Sequence, residues 1–398
     1  MNSYTNRLLF LLTIAIALGT TAKGQSLFDL SDSAEISVIT IGPYQGELYS
    51  AFGHSAIRVY DPQRNIDWVY DYGRFDFDQE NFYLNFARGK MLYSIGLLKN
   101  FKRFRDYYAG EDRFVYEQVL NLEYVEKVDF FKFLENNNKP ENRQYLYNYV
   151  YDNCGTKIRE VVDTVVESEI IYDYSYVEEG KTIRDLMDDY LAFQPWGDLG
   201  IDLGLGMQID HEAPADVYMF LPDYVFKAFA TAKIQRDGGT LPLVKQSKVL
   251  YETQSEPDPI GMFTPFNTFL ILFFVVGLVT NRNFKTGKRS HWLDIILFTA
   301  VGFAGWWFVF LWTGTEHLSK YNWNLVWGFP FYIPLVYFLN KEKWQPKLAR
   351  VFRYLSVVLV LTLVFWGLIP QPLHFSLIPL VLALALRGFY ISYDLSRI

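Results

Sequence analysis

The hydrophobic pattern of the chain changes character near residue 255. Before that point short apolar stretches alternate with polar ones, with the period of 2 of a strand or the period of 3.6 of a helix. The pattern predicts strands at 35–41, 54–60, 68–72, 91–98 and 114–120, helices at 124–134, 155–167, 182–191 and 217–232, and a hairpin at 241–251. This mixture indicates an α+β domain over residues 25–255.

Beyond this domain and the polar linker that ends it, the apolar segments become long. Each is close to the roughly 20 residues that a helix needs to cross the hydrocarbon core of a bilayer. They lie at 262–280, 292–312, 323–339, 351–368 and 373–390. We therefore expect an all-α membrane domain over residues 256–398 with five transmembrane helices.

The loops of this membrane domain differ in charge, and the difference predicts its orientation. Loops 281–290 and 340–353 are rich in Lys and Arg, whereas 313–322 and 369–372 are poor in them. Basic loops stay in the cytoplasm. This topology leaves residues 25–255 on the outer side of the membrane.

The N-terminus predicts export independently. Residues 1–24 have the composition of a secretory signal peptide, in which Arg7 precedes the apolar run 8–18 and small residues follow it. No cysteine lies near the expected cleavage region, so the chain is not itself a lipoprotein of the usual kind. A retained N-terminal anchor is the alternative.

Composition supports a membrane protein and argues against nucleic-acid binding. Hydrophobic residues make up 51% of the chain and aromatic residues 18%, which is high for a soluble protein. Residues 261–398 contain 12 Lys and Arg against 4 Asp and Glu, so the net charge of −7 conceals an acidic N-terminal part. An acidic soluble domain has no electrostatic attraction for nucleic acid.

Cys154 is the only cysteine in the sequence, so no intramolecular disulfide can form. The apolar residues after it recur with helical spacing, and Asn153 is a favourable N-cap, so Cys154 is expected at a helix start. Free amide N–H groups and the helix dipole favour a thiolate there. We interpret Cys154 as a nucleophile; the alternative is a small buried hydrophobic residue.

A cysteine nucleophile requires a base, and His54 is the best placed of five histidines. It begins the strand predicted at 54–60, and the only other histidine in the same domain is His211. A third polar group should orient the imidazole, and Asp71 and Asp76 are candidates because they lie on or after the next predicted strand. Surface charge is the alternative for both.

Two neighbours of His54 are further candidates for the site. Ser55 is adjacent to it, and Arg58 lies four residues further along the same strand. Both are expected to line the substrate-binding region, although their spacing assigns neither of them a chemical role.

Two other motifs are better explained without a ligand. Gly200, Gly204 and Gly206 lack the Lys-Ser/Thr of a phosphate loop, so a packed turn is expected. Residues 210–212, Asp-His-Glu, lie in an extended segment where neighbouring side chains point apart, and no second His or Cys cluster accompanies them. The sequence predicts neither a metal nor another cofactor.

Four motifs resemble a known family. They are Glu47-Leu48-Tyr49-Ser50-Ala51-Phe52-Gly53-His54, Tyr72-Gly73-Arg74-Phe75-Asp76-Phe77, Asp152-Asn153-Cys154-Gly155, and Thr315-Glu316-His317 followed by Asn322-Trp323-Asn324-Leu325-Val326-Trp327. Together they resemble the Lnb-type proteins of Bacteroidota, over nearly the whole chain. The family joins a periplasmic domain, related to permuted NlpC-like and lecithin:retinol acyltransferase-like enzymes, to a membrane domain.

The resemblance implies a permuted papain-like fold for residues 25–255 and a multi-pass protein of the bacterial inner membrane. The family's named member is a lipoprotein N-acyltransferase, which implies a phospholipid acyl donor and a lipoprotein N-terminus as acceptor. It also implies that Glu316 and His317, in a loop otherwise short of charge, position a lipid headgroup or the incoming amine; an interfacial loop that is simply solvated is the alternative. Asn153 and Asn322 are further candidates for substrate binding.

The hypothesis from sequence is a cysteine acyltransferase in which Cys154 carries the acyl group and His54 moves the protons. Two alternatives stay open. One is a membrane-anchored cell-wall cysteine peptidase of the NlpC type, which needs the same two residues but fewer membrane spans. The other is a catalytically inactive membrane scaffold.

Overall fold

A computed structural model describes residues 30–397, so the signal peptide predicted at residues 1–24 lies outside the described part of the chain.

The N-terminal part is built on a seven-stranded sheet with strand order β10-β5-β1-β2-β3-β4-β6, in which every neighbouring pair is antiparallel. The strands are β1 (Glu35–Ile41), β2 (His54–Asp61), β3 (Ile66–Phe75), β4 (Leu92–Leu98), β5 (Val115–Leu120), β6 (Gln144–Leu146) and β10 (Val244–Tyr251).

Helices cover this sheet, and a second sheet has the order β7-β8-β9. The helices are α1 (Phe82–Ala87), α2 (Phe101–Gly110), α3 (Tyr124–Asn137), α4 (Cys154–Val165), α5 (Ile183–Leu191), α6 (Pro195–Gly204) and α7 (Pro222–Thr231). The second sheet contains β7 (Ile170–Ile171), β8 (Lys233–Arg236) and β9 (Gly239–Pro242). An α+β class is therefore correct for this part.

The two faces of the large sheet bury different helices. On one face Ile158 and Val162 of α4 share a buried core with Ile57 of β2. On the other, Phe101 and Phe104 of α2 pack against a second cluster from the same strands. Because side chains alternate along β2, one strand serves both cores. His54, its first residue, lies at the end of the strand where the two cores meet the surface.

Several local predictions were wrong. Residues 241–251 do not form a hairpin, because β9 pairs with β8 whereas β10 joins the large sheet beside β5. The predicted helix 217–232 is divided into a 3-10 turn, Val217–Phe220, and α7, because Pro222 lacks the N–H that a continuous helix would need. Gly200 and Gly204 lie within α6 rather than in a turn.

The C-terminal part is helical, and three of its helices are long and apolar enough to cross a membrane: Pro265–Thr286, His291–Gly314 and Phe375–Leu395. Its α-helices are α8 (Pro265–Thr286), α9 (His291–Gly314), α10 (Tyr332–Phe338), α11 (Gln345–Val364) and α12 (Ile378–Leu395).

The segment predicted as a continuous span at 323–339 is broken instead. A 3-10 turn, Trp323–Val326, precedes Pro330, and the seven residues of α10 that follow rise only about 10 Å. This length is well below the roughly 30 Å hydrocarbon core. The five-span topology therefore remains a prediction.

The loop that follows α9 and contains Glu316, His317 and Leu318, which we call the outer loop, joins the two parts of the protein. Asn322 and Asn324 donate through their side-chain amides to the carbonyl oxygens of Leu203 and Asp202, at 2.8 and 3.0 Å. The N–H of Gly206 donates to the carbonyl of Leu318 at 2.8 Å. A Cβ on Gly206 would lie 2.0 Å from the carbonyl oxygen of Lys320, so only glycine permits this approach. The outer loop therefore packs closely against α6 and the residues that follow it, and hydrogen bonds fix this contact.

An ion pair is buried inside the helical part. Arg387 of α12 is fully buried and donates to Asp294 of α9 at 2.5 Å and to Asn283 of α8 at 2.8 Å. One guanidinium thus joins three helices. Without it, the Asp294 carboxylate would be left in an apolar interior with less positive charge nearby.

We predict that Asp294→Ala destabilises the protein by about 3–5 kcal/mol, because it leaves the buried charge of Arg387 without its carboxylate. The matched control is Asp394→Ala, which removes a more exposed partner of Arg289 at 3.2 Å. Thermal unfolding in detergent measures both variants. Equal losses of stability would contradict a special role for the Arg387 pair.

The topology prediction rests on the alternating basic loops. A reporter that is active only outside the cytoplasm should be active when fused after Thr315, which follows α9, and silent when fused after Lys285, near the end of α8. The reverse pattern would place the sheet domain in the cytoplasm.

Candidate active site

The cysteine lies where the sequence predicts it, at the first residue of α4. Asn153 caps this helix: its side-chain oxygen accepts from the N–H of Thr156 at 3.0 Å, and its own N–H donates to the Thr156 hydroxyl at 2.8 Å. Its amide group donates to the carbonyls of Tyr149 and Phe220, both at 2.8 Å. Both polar atoms of the buried Asn153 side chain are thus used to hold the helix start, which leaves no free polar atom for the predicted contact with substrate.

The helix start also packs unusually close to the chain before α7. A Cβ on Gly155 would lie 2.8 Å from the carbonyl oxygen of Met219 and 3.0 Å from that of Phe220. Glycine at this position therefore lets the first turn of α4 sit against the Val217–Phe220 turn. Within the described chain the N–H groups of Cys154 and Gly155 have no protein acceptor, so they can donate to a substrate oxygen.

His54 and the backbone N–H of Ser55 both lie beside the sulfur of Cys154. The Nε2 atom of His54 lies 2.6 Å from Oδ1 of Asp71 on β3, so Nδ1 is the ring nitrogen that is free to act on the sulfur. Both Cys154 and the His54 ring are half-buried. The structure thus brings together three residues that are distant in sequence, in the order cysteine, histidine, carboxylate.

The two candidate carboxylates occupy different environments. Asp71 is buried, and its second oxygen lies 3.3 Å from Nε of Arg74 across an irregularity in the pairing of β3 with β4. Asp76 is exposed and accepts from the N–H of Asp78 at 2.9 Å. Asp71, not Asp76, therefore orients the imidazole. Arg74 was missed from sequence, because its role depends on this local change in register.

Charge coupling sets the protonation of the Cys154–His54 pair. Burial alone raises the pKa of Cys154, but the neighbouring His54, by charge and by hydrogen bonding, outweighs it and lowers the pKa below the ordinary value. Burial alone lowers the pKa of His54, but the negative charges of the Asp71 carboxylate and the Cys154 thiolate, together with the hydrogen bond to Asp71, hold that pKa well above the ordinary value. Both directions favour a thiolate beside an imidazolium.

Aromatic side chains surround the pair. The ring of Tyr108 on α2 lies 6.1 Å from that of His54, centroid to centroid, and burial raises the pKa of Tyr108, so its phenol stays neutral. Tyr147 stacks on Tyr93 at 4.0 Å and lies close enough to Cys154 for the two to affect each other's charge. Tyr108 was missed because the hydrophobic pattern did not predict α2.

The two predicted neighbours of His54 have other partners. The Ser55 side chain is buried, and its backbone N–H rather than its hydroxyl reaches the sulfur. Arg58 forms ion pairs with Asp67 at 2.7 Å and Glu117 at 2.9 Å and lies over the ring of Phe101. Arg58 therefore stabilises the sheet and is not placed at the sulfur.

The outer loop of the helical part reaches the site through a tyrosine. The N–H of Leu318 donates to the hydroxyl of Tyr149 at 3.0 Å, and the carbonyl of Tyr149 accepts from the cap residue Asn153. Glu316 pairs with Lys90 at 2.8 Å, and His317 is hydrogen-bonded to the carbonyl of Phe86 at 3.1 Å. Asn322, bound to Leu203, holds the two parts together instead of facing the cysteine.

One group in the described residues has donor atoms close enough for a metal. Ligand atoms of Asp198, Asp202 and His374 lie within 4.8 Å of one another. However, Asp202 binds the buried guanidinium of Arg184 at 2.5 Å, and His374 is paired with Asp198 at 3.1 Å. Existing partners account for this cluster, which joins α6 to the loop before α12.

The Asp-His-Glu motif at 210–212 does not form a site. Asp210 also binds Arg184, at 2.5 Å, while the Glu212 side chain accepts from the N–H of Gly180 at 3.2 Å. His211 between them is exposed. The three side chains point in different directions, with Asp210 turned into the protein, as expected for an extended segment, and His211 is no rival to His54.

Comparison with known proteins agrees with this architecture. A model of the Lnb N-terminal periplasmic domain matches residues 28–188, and a model of the Lnb transmembrane domain matches residues 256–397. No curated protein and no solved structure matches the chain significantly. The first match contains the cysteine, the histidine and the carboxylate, and the second contains the outer loop. The chain belongs to the Lnb family and is a membrane protein with a periplasmic domain.

Proposed function

We propose that the protein is a lipoprotein N-acyltransferase that works through a thioester on Cys154. The observation that carries the proposal is the grouping of Cys154 beside His54, whose ring is hydrogen-bonded to Asp71, next to the outer loop of a membrane domain. Nucleophile, base and orienting group are the elements of cysteine-dependent acyl transfer. Membership of the Lnb family supports a role in lipoprotein biogenesis.

In the first step the Cys154 thiolate attacks the ester carbonyl of a phospholipid. The new C–S bond forms as the ester C–O bond breaks, and the imidazolium of His54 gives its proton to the departing alkoxide of the lysophospholipid. The N–H groups of Cys154 and Gly155 are suited to stabilise the oxyanion of the tetrahedral intermediate. A thioester and neutral His54 remain.

In the second step the acceptor is the free N-terminal amine of a lipid-modified cysteine on a lipoprotein. The amine attacks the thioester carbonyl, the C–N bond forms as the C–S bond breaks, and His54 takes the proton that the amine loses. Asp71 keeps the ring oriented during both steps. The thiolate and the imidazolium are restored, so the cycle consumes one ester and produces one amide.

The position of the site favours substrates that are held in a bilayer. Tyr149 accepts a hydrogen bond from Leu318, four residues after the end of α9 at Gly314. Donor and acceptor of the proposed reaction are both anchored by acyl chains. A cell-wall peptidase would use the same pair, but it would not need its site at the membrane surface.

The charge state of the pair gives the first test. A lowered pKa keeps Cys154 as thiolate when the pH falls below the range where an ordinary cysteine protonates, so wild type should react with iodoacetamide at pH 6. In His54→Ala the burial of the sulfur is no longer offset, the pKa rises, and alkylation at pH 6 should slow at least about tenfold. Asp76→Asn is the matched control and should react like wild type.

The pH profile makes this test decisive. The alkylation rate of the His54→Ala variant should recover at alkaline pH, because an unassisted thiol ionises there. A wild-type rate that falls with decreasing pH in the same way as that of the variant would contradict the ion pair.

The second test measures the reaction. In cells that depend on this protein alone, Cys154→Ser and His54→Ala should each reduce N-acylation of lipoproteins at least about a thousandfold, and the double variant should be little worse, because nucleophile and base act as a unit. Asp71→Asn should reduce it less. Asp76→Asn should have no effect. The readout is the mass of lipoprotein N-terminal peptides.

Three outcomes separate the alternatives. Full N-acylation in the Cys154→Ser strain would refute covalent catalysis by this residue. Unchanged lipoproteins together with altered cell-wall peptides would indicate the peptidase. No chemical change in either would indicate the inactive scaffold. An acyl mass on intact wild-type protein that hydroxylamine removes would identify the thioester directly.

A further inference from the structure

The helix α1 has no core of its own. None of its six residues is buried, and three of its apolar side chains are exposed, Tyr83 by 83% and Phe86 by 57%. With Phe77, which is also exposed, the three side chains Tyr83, Leu84 and Phe86 form what we call the aromatic patch. A helix of one or two turns is marginal in water unless an apolar face is packed. The aromatic patch is therefore without the packing that its helix needs.

The position of α1 is fixed by the outer loop of the membrane domain. The N–H of Glu316 donates to the carbonyl of Arg88 at 2.9 Å, just beyond the C-terminal end of α1. Glu316 is the second residue after Gly314, where α9 ends. Two residues of extended chain span at most about 7 Å. The C-terminal end of α1 is thus held at the level where α9 leaves the membrane.

Charge is distributed along this segment with a clear polarity. Arg88 and Lys90 follow α1, next to the outer loop, whereas Asp76, Asp78 and Glu80 precede it. Basic residues beside exposed aromatic ones are typical of segments that lie in the headgroup region of a bilayer. The acidic residues mark the end that remains in water.

A second aromatic group lies at the outer end of another membrane helix. Phe263, just before α8, is 77% exposed, and its ring lies 5.2 Å from that of Trp196 on α6. The indole N–H of Trp196 donates to the carbonyl of Phe263 at 3.0 Å. The outer ends of α8 and α9 are therefore both flanked by aromatic side chains from the sheet domain, as expected of an interfacial belt.

We propose that the aromatic patch inserts into the periplasmic leaflet of the membrane, so that its occupant is the lipid surface itself. Tyr83, Leu84 and Phe86 bury their side chains at the boundary of headgroups and acyl chains, and this burial supplies the packing that α1 lacks within the protein. The sheet domain then contacts the bilayer directly through α1 and is also held near it by the outer loop.

This placement has a consequence that rests on the proposed function. A series of neighbouring rings leads from α1 to the cysteine: Phe82 to Phe75 at 6.5 Å, Phe75 to Tyr93 at 5.4 Å, and Tyr93 to Tyr147 at 4.0 Å. Tyr147 lies near enough to Cys154 for their charges to interact. An acyl chain leaving the leaflet beside α1 would follow an aromatic surface to the sulfur.

The insertion can be tested without any turnover. The full-length Cys154→Ser chain contains no cysteine, so Tyr83→Cys and Phe86→Cys each provide one site for a nitroxide label. The matched control is Val125→Cys on α3, a position that is 66% exposed. Each labelled chain is placed singly in nanodiscs of phosphatidylethanolamine and phosphatidylglycerol, and collisions with oxygen and with a water-soluble nickel chelate are measured.

The ratio of oxygen to nickel collisions should be several-fold higher at residues 83 and 86 than at residue 125, because oxygen concentrates in lipid. Ratios equal to that of Val125→Cys would overturn the proposal. So would a lipid-like ratio that appears only when two chains share a disc, since it would make the patch a contact between copies. Leu84→Cys replaces either variant that does not remain monodisperse. Because the labelled chain lacks the thiol, failure of the acyltransfer proposal leaves this result unaffected.

Discussion

The side chain of Asn153 is the contact on which the site depends. It caps α4, ties the helix start to two different segments of chain, and so fixes where the sulfur of the next residue points. Helix caps are typically worth about 1 kcal/mol in stability. In this protein the larger effect is positional, since the distance from sulfur to imidazole depends on the first turn of α4 and on the end of β2. One of its partners, Tyr149, is itself held by the outer loop of the membrane domain.

Two kinds of contact hold the residues of the site: hydrogen bonding within the sheet and apolar packing of a helix on the sheet. His54 and Asp71 lie on adjacent strands of one sheet, just beyond the last paired residues, Ile57 and Tyr70, and are joined by a 2.6 Å hydrogen bond. Cys154, in contrast, approaches from a helix that packs on this sheet through apolar side chains. The close approach at Gly155 removes most of the freedom that such packing would leave. The proposed acyl transfer would require this arrangement, because a misplacement of about 1 Å between reacting groups can cost a hundredfold in rate.

Sequence reasoning identified the residues whose chemistry is unusual for their position. A lone cysteine after a good N-cap and a histidine at a strand start are local signals, and both lie where they were expected. Choosing Asp71 over Asp76 required the strand register, which one sequence does not reveal. Tyr108 and Arg74 could not be found, because an aromatic residue on an unpredicted helix and an arginine at an irregular pairing have many ordinary explanations.

The errors in the fold have a similar origin. Hydrophobic periodicity describes one segment at a time, whereas the separation of β9 from β10 depends on which sheet offers a free edge. Apolar composition alone does not distinguish the broken segment at 323–339 from a continuous helix, because Pro330 and the 3-10 turn before it lie within an otherwise apolar stretch. Short helices such as α1 give a weak periodic signal, and a helix that buries none of its residues gives no core pattern at all.

The fitted contact between Gly206 and the outer loop also orders the biosynthesis of the protein. Domains generally fold in order from the N-terminus during synthesis, so we expect the sheet domain to fold before α9 has entered the membrane. The bond from Leu318 to Tyr149 can form only once the loop after α9 has been made. The last support of α4 therefore arrives with the membrane domain, and a chain that stalls during insertion would hold Cys154 in an incomplete setting.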